Sequence, residues 1–526
     1  MQTIQETGVL DVPMPDELFT AADLRQMAEL GIDPEEALRQ VELFRNPPPF
    51  TRVLRPCTPG DGIRTIFESD HGRLLGFHEE AARQGRIGKL VPASGAASRM
   101  FKALLEDLHD RPAEPSAEVR KVLDNLPRFA FSESLAAALR WAGIDLEEAL
   151  RQGDRWTVLE YLLTDKGLGY AELPKALLEF HRYSGAEGPR TPFEEHLVEA
   201  AAYTRDAQGV CRAHFTVSPG HDEELRRLLE EVRPRYEERL DARFEVSFSS
   251  QERSTDTLAV DLENRPFRLA DGSLLFRPGG HGALLHNLHA LAVQGWDVVL
   301  LKNIDNVVPD DRKPVGLLWK KLLAGALLAL QKRIFGYLDR LEDGASVTPE
   351  LLEEVEKFMT DALVRPVPPE MSLKAEDLRR YFLRILDRPL RVCGVVRNQG
   401  EPGGGPFWVE EPGGEVSLQI VETSQIDPED PEQRKILRSS THFNPVDIAC
   451  ALRDRHGRPY DLERYINPST VFIAKKSHEG RSLKALERPG LWNGAMADWN
   501  TVFVEVPDVT FAPVKTVLDL LRPEHQ

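Results

Sequence analysis

Residues 90–100 read LVPASGAASRM and join an apolar run, residues 87–91, to a helical pattern that begins at Phe101. The joining loop consists of small residues and ends in Ser-Arg-Met. A strand, a tight small-residue loop and a helix bring backbone N–H groups close to a phosphate at the helix N-terminus. Arg99 stands where its guanidinium can bind the same phosphate. Such turns also occur in proteins that bind no phosphate, so the rest of the chain is needed to interpret this one.

The composition indicates a large globular protein with an acidic surface. The 526 residues are enough for two or three domains, and the formal net charge is −19. This charge argues against nucleic acid or an anionic membrane as a partner, because both require a basic surface. A local positive pocket for a small anion remains compatible with it.

The cysteines and the N-terminus indicate the cytoplasm. The 4 cysteines are far apart and form no C-x-x-C pair, so we expect reduced thiols rather than disulfides or a zinc site. Residues 1–13 have no signal-peptide pattern. The best candidate for a membrane span, residues 315–330, is interrupted by Lys320 and Lys321, so we expect no span.

The order of apolar segments predicts an α/β fold with a mainly parallel sheet, since strands alternate with helices. We expect a helical region at residues 1–85, an α/β core at 86–390 with a helical insertion at about 101–169, and a part at 391–526 that completes the core. The predicted strands include residues 211–217, 244–249, 257–260, 298–301, 391–397, 416–423, 470–475 and 502–506.

Two polar features are compatible with an anionic ligand. Lys175 follows Pro174 at a predicted helix start, where the helix dipole favours an anion beside it. A solvated lysine is the alternative. The polar run 247–256 starts in a predicted strand and continues past its end, where ligands bind in open α/β sheets. Gln251 in this run can pair with a base edge or a sugar, and a plain polar loop is the alternative.

Two further turns carry candidate ligand groups. Gly280-His281-Gly282 enters a predicted helix, and its glycines allow the backbone to approach a ligand closely. His281 is then a metal ligand, a phosphate donor, a base-stacking residue or a structural histidine. Asp305 follows the apolar strand 298–301, a position suited to holding Mg²⁺ on a phosphate, although Asp-Asn is also ordinary turn chemistry.

Three polar residues in the last third are expected to face a ligand. They are Glu422 in LQIVETSQI, Asn444 in THFNP and Lys515 in FAPVKTV. Each of these signals is weak when it is taken alone.

Taken in order, these segments resemble the sugar-phosphate nucleotidyltransferases, and most closely the UTP-using sugar pyrophosphorylases. The matching stretches are Ser94–Met100, Pro174-Lys175, Gly280-His281-Gly282, Asp305-Asn306 and Pro513-Val514-Lys515-Thr516. A nearer resemblance, over residues 91–101, 169–183, 276–309 and 485–521, is to the bacterial domain-of-unknown-function family 4301. Relative to the enzymes, Ala93 and Ala96 stand where glycine is usual, and Ser98 replaces a threonine.

The resemblance implies a Rossmann-like sheet of the GT-A-like type and the transfer of a nucleotide from a nucleoside triphosphate to a sugar 1-phosphate, with release of pyrophosphate. It implies catalytic roles for Arg99, Lys175 and Lys515, and Mg²⁺ on Asp305. It implies sugar-phosphate binding by Glu422 and Asn444. Nucleotide binding is implied for Ala93, Ser94, Gly95, Ala96, Ser98, Gln251, Gly280, His281 and Gly282.

Two alternatives remain open. One is a glycosyltransferase on the same fold, which is less favoured because the metal motif reads Ile304-Asp305-Asn306 and lacks the first acid of Asp-x-Asp. The other is a non-catalytic protein that binds a nucleotide or a sugar phosphate, which the alanines of the loop favour. The base, the sugar and the oligomeric state are not determined by the sequence.

Overall fold

The computed structural model describes residues 18–95, 97–344, 347–368, 374–400, 403–411 and 414–526. The chain forms two compact units. The larger unit comprises residues 51–250, 287–465 and 498–526, and the smaller one residues 1–50, 251–286 and 466–497. The domain boundaries predicted near residues 85 and 390 stay a prediction.

The strands are numbered along the chain. They are β1 Val53–Pro56, β2 Thr58–Pro59, β3 Gly62–Arg64, β4 Ile87–Pro92, β5 His181–Arg182, β6 Pro189–Arg190, β7 Val210–Val217, β8 Arg243–Ser250, β9 Thr257–Leu258, β10 Phe276–Arg277, β11 Val298–Lys302, β12 Leu390–Arg397, β13 Gly404–Glu410, β14 Val416–Glu422, β15 His442–Ala451, β16 Phe472–His478, β17 Arg481–Glu487 and β18 Asn500–Glu505.

The helices are numbered in the same way. They are α1 Ala21–Leu30, α2 Pro34–Arg45, α3 Glu68–Arg83, α4 Lys102–Asp110, α5 Ala117–Asp124, α6 Ser132–Trp141, α7 Leu146–Arg151, α8 Arg155–Leu163, α9 Pro192–Tyr203, α10 Asp222–Leu240, α11 Leu284–Val293, α12 Lys313–Glu342, α13 Pro349–Asp361, α14 Ala375–Leu386 and α15 Pro431–Arg438.

A 9-stranded sheet forms the centre of the larger unit, with the strand order β2-β3-β18-β12-β15-β11-β4-β7-β8. The strand β15 runs antiparallel to both of its neighbours, β12 and β11. The other neighbouring pairs are parallel. The predicted α/β class with a mainly parallel sheet is therefore confirmed. β4, β7, β8 and β11 end at the same edge, and the loops that follow them lie there.

Helices pack against one face of this sheet in two adjoining cores. In the first core α3, α12, α13 and α14 pack against apolar side chains of β11, β12, β15 and β18. In the second core α9 and α10 pack against β4, β7 and β8 on the same face, because Leu300 pairs with Lys89 and Lys89 pairs with Ala213. Val298 and Leu300 belong to the first core, and Val91 and Phe215 to the second. Strands buried on both faces explain the continuous apolar runs in the sequence.

The helix α12 is long and apolar enough to cross a membrane by length and composition alone. In the larger unit it supplies core residues such as Leu323, Leu327 and Leu338, which are buried against the sheet. Lys320, which was expected to interrupt a span, is also buried. The helix therefore serves as a core helix of this unit.

The helices α4 to α8 form the predicted insertion and have a core of their own. Phe101, Phe129, Phe131 and Leu159 are fully or almost fully buried in it. Val514 and Val517, from the C-terminal segment, join this core. The last residues of the chain are thereby attached to the helical insertion.

The smaller unit contains α1 and α2 with the antiparallel pairs β9–β10 and β16–β17. Its core includes Met27, Val41, Phe44, Leu258 and Leu486. These two helices lie in the N-terminal region that was predicted to be helical, within the described residues, which begin at Leu18.

One expectation about local structure is wrong. Lys175 was placed on a helix start, but residues Lys175–Leu177 form a single 3-10 turn, so no helix dipole acts on this lysine. The segment that carries Asn444 was given no strand, and His442–Ala451 is the strand β15. Pro445 and Asp447 interrupt its apolar pattern, and the ladder with β12 shifts register between Gly394 and Val396.

Candidate active site

The loop after β4 keeps the predicted order of strand, small-residue loop and helix. The chain leaves the sheet at Pro92, forms a 3-10 turn at Ala97–Arg99 and enters α4 at Lys102. Ala93 is buried, and its N–H donates to the Thr216 carbonyl at 2.8 Å. This residue therefore extends the pairing of β4 with β7, and its N–H is not free for a ligand.

The next residues present backbone donors to solvent. Ser94 and Gly95 are exposed, and their N–H groups donate to no residue in the described part of the chain. Ala96, the other predicted nucleotide-binding residue of the loop, lies outside the described residues. A side chain added at Gly95 would meet no atom within 4 Å. The loop therefore offers unengaged N–H groups on an open surface, as an anion-binding loop does.

Three hydrogen bonds hold the loop in place. The Ser218 hydroxyl donates to the Ser94 carbonyl at 2.8 Å. The N–H of Lys175 donates to the Gly95 carbonyl at 3.3 Å, and the N–H of Ala97 donates to the Leu173 carbonyl at 3.2 Å. The segment that carries Lys175 is thus joined to the loop. The sequence gives the order of the two motifs but not this contact.

Ser98 and Arg99 are exposed at the end of the loop. Among the described residues, the Arg99 guanidinium has no hydrogen-bond or ion-pair partner. Its position follows from the 3-10 turn, in which the Ala97 carbonyl accepts from the N–H groups of Met100 and Phe101. The guanidinium is therefore free to bind an anion that reaches the loop.

Lys175, Asp305 and Lys515 meet in one cluster. The Lys175 ammonium donates to Asp305 Oδ2 at 2.8 Å and to the Val514 carbonyl at 2.5 Å. The Lys515 ammonium lies 3.5 Å from the same Oδ2. The side chains of Lys175 and Asp305 are only 10% and 11% exposed, whereas that of Lys515 is 61% exposed. The cluster thus joins a buried ion pair to a second ammonium that reaches solvent.

The tip of β11 places Asp305 in this cluster. The Ile304 N–H donates to the Pro92 carbonyl at 3.3 Å, which ties the tip to the end of β4. The Val514 N–H donates to the Asp305 carbonyl at 3.0 Å, and the Ala512 N–H donates to Asn306 Oδ1 at 3.0 Å. The segment 512–515 therefore runs along the tip, and Asn306 serves to hold it there.

Lys515 is presented by a capped turn. The Asp519 carboxylate accepts from the N–H groups of Lys515 and Thr516 at 2.8 and 2.7 Å. These bonds fix the backbone of Lys515 and leave its long side chain exposed. The ammonium can therefore turn from Asp305 toward a bound anion without a change in the fold.

The charges of the cluster favour an anionic ligand. Burial raises the pKa of the Asp305 carboxyl, but Lys175 and Lys515 more than offset this effect and hold the pKa below its usual range. The carboxylate is therefore ionised at neutral pH. Two ammonium groups and one carboxylate leave one positive charge in excess beside the loop.

The donor set at this edge suits a metal ion only if the ligand supplies most of the oxygens. Among the described residues, no group of three or more His, Cys, Asp or Glu side chains is arranged to hold a metal. Asp305 offers a single carboxylate, and both lysines contact its Oδ2. Mg²⁺ is commonly held by one or two carboxylates together with substrate phosphates, so the residues fit a magnesium ion carried by a phosphate ligand.

Glu422 and Asn444 lie in neighbouring parts of the larger unit. Gly404 pairs with Glu422 across β13 and β14, and Gly403 lies against the ring of Phe443. The Glu422 carboxylate accepts from the Gln425 N–H within its own turn. Asn444 is 3% exposed, and its amide nitrogen and oxygen have no hydrogen-bond partner within the described residues. The amide of Asn444 is thus a buried polar group that a ligand can satisfy.

The predicted residues of the smaller unit are explained by packing. A side chain added at Gly282 would lie 2.0 Å from the Pro489 carbonyl, so this position admits only glycine. The His281 ring stacks on Trp492 with a centroid distance of 4.4 Å, and its Nδ1 accepts from the Leu491 N–H at 3.1 Å. Burial lowers the pKa of His281 to about 4, so the imidazole is neutral. Gly280 has a φ of 77°, which also favours glycine.

Gln251 follows β8 in the sequence and belongs to the smaller unit. Its Nε2 is buried and has no partner among the residues that the structure describes. A role of Gln251, Gly280, His281 and Gly282 in nucleotide binding stays a prediction.

A buried polar cluster that the sequence did not reveal supports the segment 512–515. His181 Nδ1 lies 2.9 Å from Glu195 Oε1, and His181 Nε2 lies 3.0 Å from Nδ1 of His525. The rings stack at 5.3 Å. Burial and the neighbouring His181 lower the pKa of His525 to about 3, partly offset by a hydrogen bond to the Ala512 backbone. The penultimate residue of the chain is therefore part of the core beneath this segment.

Glu195 is the centre of that cluster. Besides His181 it accepts from the Tyr183 hydroxyl at 2.8 Å and from the ammonium of Lys313 at 2.5 Å. Arg190 is fully buried, contacts Glu195 and makes two hydrogen bonds of 2.9 Å to Asp310. Tyr183, Arg190 and Glu195 are close in the sequence, but their partners Asp310, Lys313 and His525 are more than 100 residues away, so no local spacing rule could have found the cluster.

A family model described as Domain of unknown function (DUF4301) matches residues 20–526. No curated protein matches the chain.

Several solved structures are similar to this chain. A mutant UDP-glucose pyrophosphorylase from Leishmania major in complex with UDP-glucose is 13% identical with a TM-score of 0.47, over 96% of this chain and 79% of that chain. The UDP-glucose phosphorylase of Trypanosoma brucei is 14% identical with a TM-score of 0.46, over 95% and 77%. The uridine diphosphate N-acetylglucosamine pyrophosphorylase of Trypanosoma brucei is 14% identical with a TM-score of 0.45, over 96% and 79%.

Proposed function

We propose that this chain, which belongs to the DUF4301 family, transfers a nucleoside monophosphate from a nucleoside triphosphate to a sugar 1-phosphate or a similar phosphorylated acceptor. The observation that carries the proposal is the cluster of Lys175, Asp305 and Lys515 beside a loop with unengaged N–H groups. We also propose that the sheet is of the GT-A-like type and that the protein acts in the cytoplasm.

The reaction needs two anions held in line. An oxygen of the acceptor phosphate attacks the α-phosphorus and forms a new P–O bond. The bond between the α-phosphorus and the oxygen that bridges to the β-phosphate breaks, and pyrophosphate leaves with its electron pair. The attacking oxygen is already anionic, so no residue has to remove a proton. The work of the protein is positioning and charge stabilisation.

The loop residues bind the triphosphate in this scheme. The N–H groups of Ser94 and Gly95 and the hydroxyl of Ser98 donate to phosphate oxygens. Arg99 adds two parallel hydrogen bonds from its guanidinium. These donors make no hydrogen bond to described residues of the protein, so none has to be broken when the triphosphate binds.

The two lysines have different tasks because their exposure differs. Lys515 reaches solvent and turns onto the reacting phosphates, where it stabilises negative charge. Lys175 is buried against Asp305 and fixes the carboxylate and the Val514 carbonyl. A magnesium ion carried by the triphosphate would be held by Asp305 and would neutralise phosphate charge. Glu422 and Asn444 are proposed to bind the acceptor, with Asn444 contributing its unpaired amide.

A second candidate is a protein that binds a nucleotide or a sugar phosphate without turnover. It is favoured by one observation, that Lys175 donates to both Asp305 and Val514 and is engaged before any ligand arrives. The two functions differ in a single outcome, since both require binding and only one requires release of pyrophosphate.

The proposal is tested with the pure protein, each of the common nucleoside triphosphates, MgCl₂ and a panel of sugar 1-phosphates. We expect one triphosphate to raise the Tm and one pair to release pyrophosphate. Arg99→Ala should weaken triphosphate binding about tenfold, the loss produced by one hydrogen bond to a charged group. Arg151→Ala, an exposed arginine on α7, is the matched control and should leave binding unchanged.

Binding without pyrophosphate release supports the second candidate. The absence of both binding and turnover with every pair rejects both functions.

A further inference from the structure

Three lysines are buried together in the larger unit beneath the end of β11. Lys89 is 0%, Lys302 8% and Lys320 2% exposed. A buried ammonium loses its hydration, so lysine is found in such places only when other groups replace the water. These three belong to the face of the sheet covered by α12, and none of them is part of the proposed active site.

Two carboxylates serve these three ammonium groups. Lys89 lies 2.9 Å from Glu199 Oε2, and Lys302 lies 2.8 Å from Glu199 Oε1. Lys320 pairs with Asp447 and also donates to the Leu301 carbonyl at 3.3 Å.

Among the described residues, α9 supplies no second carboxylate to these lysines besides Glu199. His196 on α9 is fully buried, and its pKa is lowered well below the usual value, so it adds no charge at neutral pH. When all three lysines are protonated, one buried positive charge is in excess of the two carboxylates.

An open cavity adjoins the excess charge. It has an empty volume of about 350 Å³, including solvent at its mouth, and Lys302, Lys320, Arg312 and Asn306 contribute to its wall. Lys313, Gly316, Leu317 and Lys320, which share one side of α12, also line it. Glu199 is the one acidic side chain of this wall, and both of its oxygens are engaged by lysines.

Several donors in the wall are not engaged by the protein. An ammonium has three hydrogens. Lys302 makes one hydrogen bond and Lys320 makes two polar contacts to described residues. Arg312 is exposed, and its ion-pair partner is Asp311 at 3.5 Å. Lys313, in contrast, has three acceptors and offers no donor. The free hydrogens therefore belong to Lys302, Lys320 and Arg312.

We propose that this cavity binds a tetrahedral oxyanion, the phosphoryl group of free phosphate or of a small phosphomonoester. The ammonium groups of Lys302 and Lys320 and the Arg312 guanidinium would donate to it, and its charge would balance the buried lysines. This site is separate from the proposed nucleotide site, because Lys175, Asp305 and Lys515 are not among the residues that line the cavity. It adjoins that site through Asn306, whose side chain holds the segment that carries Lys515. The proposal does not require catalysis.

The ionisation of the lysines gives an independent readout. Burial lowers the pKa of Lys89 to about 7, and burial together with the other lysines lowers the pKa of Lys320 well below its usual value. A bound anion favours the charged form and raises both pKa values. Above pH 7, binding must therefore take up a proton, and the affinity must fall as the pH rises.

The test uses isothermal titration calorimetry with sulfate, which does not titrate near neutral pH, against chloride at equal ionic strength. The background is the full chain with Arg99→Ala and Lys515→Ala, two exposed positions, so that the proposed nucleotide site is disabled. We expect sulfate to bind and to take up protons at pH 8, as shown by heats that depend on the buffer. Arg312→Ala should weaken binding about tenfold and Lys302→Met at least as much. Lys332→Ala, an exposed position on α12, is the control.

Two further arms identify the source of the anion. Tighter binding of glycerol 3-phosphate than of inorganic phosphate assigns the cavity to a phosphorylated metabolite, and the reverse order assigns it to free phosphate. Three results would each overturn the proposal. The protein does not bind sulfate, sulfate binding is lost in the Arg99→Ala and Lys515→Ala background, or Arg312→Ala leaves sulfate binding unchanged. Because Arg312 is exposed, this variant decides the question even if Lys302→Met does not fold. A failed nucleotidyltransferase assay leaves these outcomes untouched.

Discussion

The edge of the sheet at residues 93–99 and the turn at residues 280–282 are both rich in small residues, but their surroundings differ. Both are small-residue turns that enter a helical segment. At the sheet edge the N–H groups of Ser94 and Gly95 and the guanidinium of Arg99 have no partner among the described residues. At the turn, Gly282 fits against Pro489, and His281 stacks on Trp492 and accepts from Leu491.

The difference shows that a glycine can be present in a turn for two separate reasons. At Gly282 there is no room for a side chain, so glycine is required by the packing of the smaller unit itself. At Gly95 the space is open, so packing does not require glycine. The close approach of a ligand to the backbone is a reason for glycine at this position. Unengaged donors and open space, rather than glycine content, mark the edge at Gly95 as the better ligand site.

The largest effect is expected at the buried ion pair of the sheet edge. Asp305→Ala and Lys175→Ala should each lower the turnover at least about a hundredfold, the loss typical of one preorganised charge-stabilising group. The measurement is the rate of pyrophosphate release at saturating substrates. A variant with near-normal turnover removes that residue from the proposed role.

The free energy of unfolding of variants at the two lysines should distinguish the buried lysine from the exposed one. Lys175→Met leaves the Asp305 carboxylate with the more distant Lys515 only, so the free energy of unfolding should fall by about 3 kcal/mol. Lys515→Met should change it by less than about 0.5 kcal/mol, because that side chain is mostly exposed. Urea denaturation of both variants measures the two values. Equal losses would contradict the division of tasks between the two lysines.

The glycine comparison is tested by one matched pair of variants. Gly282→Ala forces a methyl group against the Pro489 carbonyl and should destabilise the protein by about 2 kcal/mol. Gly95→Ala meets no atom and should leave the Tm within about 2 °C of the wild type. It should nevertheless weaken triphosphate binding. A destabilised Gly95→Ala, or a neutral Gly282→Ala, reverses our interpretation of the two turns.

A smaller effect is expected in the pH dependence of stability. The pKa of His525 is about 3 in the folded chain, below its ordinary value of 6.5. As the pH falls, the His525 imidazole is therefore protonated in the unfolded chain before it is protonated in the folded chain. Its contribution to the free energy of unfolding is complete above pH 6.5 and is lost as the pH falls toward 3. The slope is at most about 1.4 kcal/mol per pH unit. His525→Gln should remove it in urea titrations between pH 6.5 and 4, and an unchanged slope would argue against a buried neutral imidazole.

The sequence predicted the parts of the fold that follow from local pattern. The α/β class with a mainly parallel sheet rests on apolar runs and small-residue turns, and the structure agrees with it. Residues of the predicted insertion, about 101–169, are mostly helical, and the roles of the loop, Asp305 and Lys515 stay predictions. The family assignment is also confirmed over residues 20–526. The strand β15 was missed because its apolar pattern is broken by Pro445 and Asp447, although it lies between β11 and β12.

The remaining features depend on contacts between distant residues. The ammonium of Lys175 reaches Asp305 and Val514 across 130 and 339 residues of sequence. The stacking of His181 on His525 spans 344 residues, and no local pattern encodes these contacts. The helix dipole expected at Lys175 was wrong for the same reason, since the lysine is held by its tertiary partners rather than by a helix.

The central claim is tested most directly by the products of a single reaction mixture. Wild-type protein, a nucleoside triphosphate, MgCl₂ and a sugar 1-phosphate are incubated, and the nucleotide sugar and pyrophosphate are measured by mass spectrometry and a coupled assay. We predict the two products in a one-to-one ratio for at least one pair, with both lost together in Asp305→Ala. Triphosphate that binds but yields neither product with any acceptor would contradict the claim that this chain is a nucleotidyltransferase.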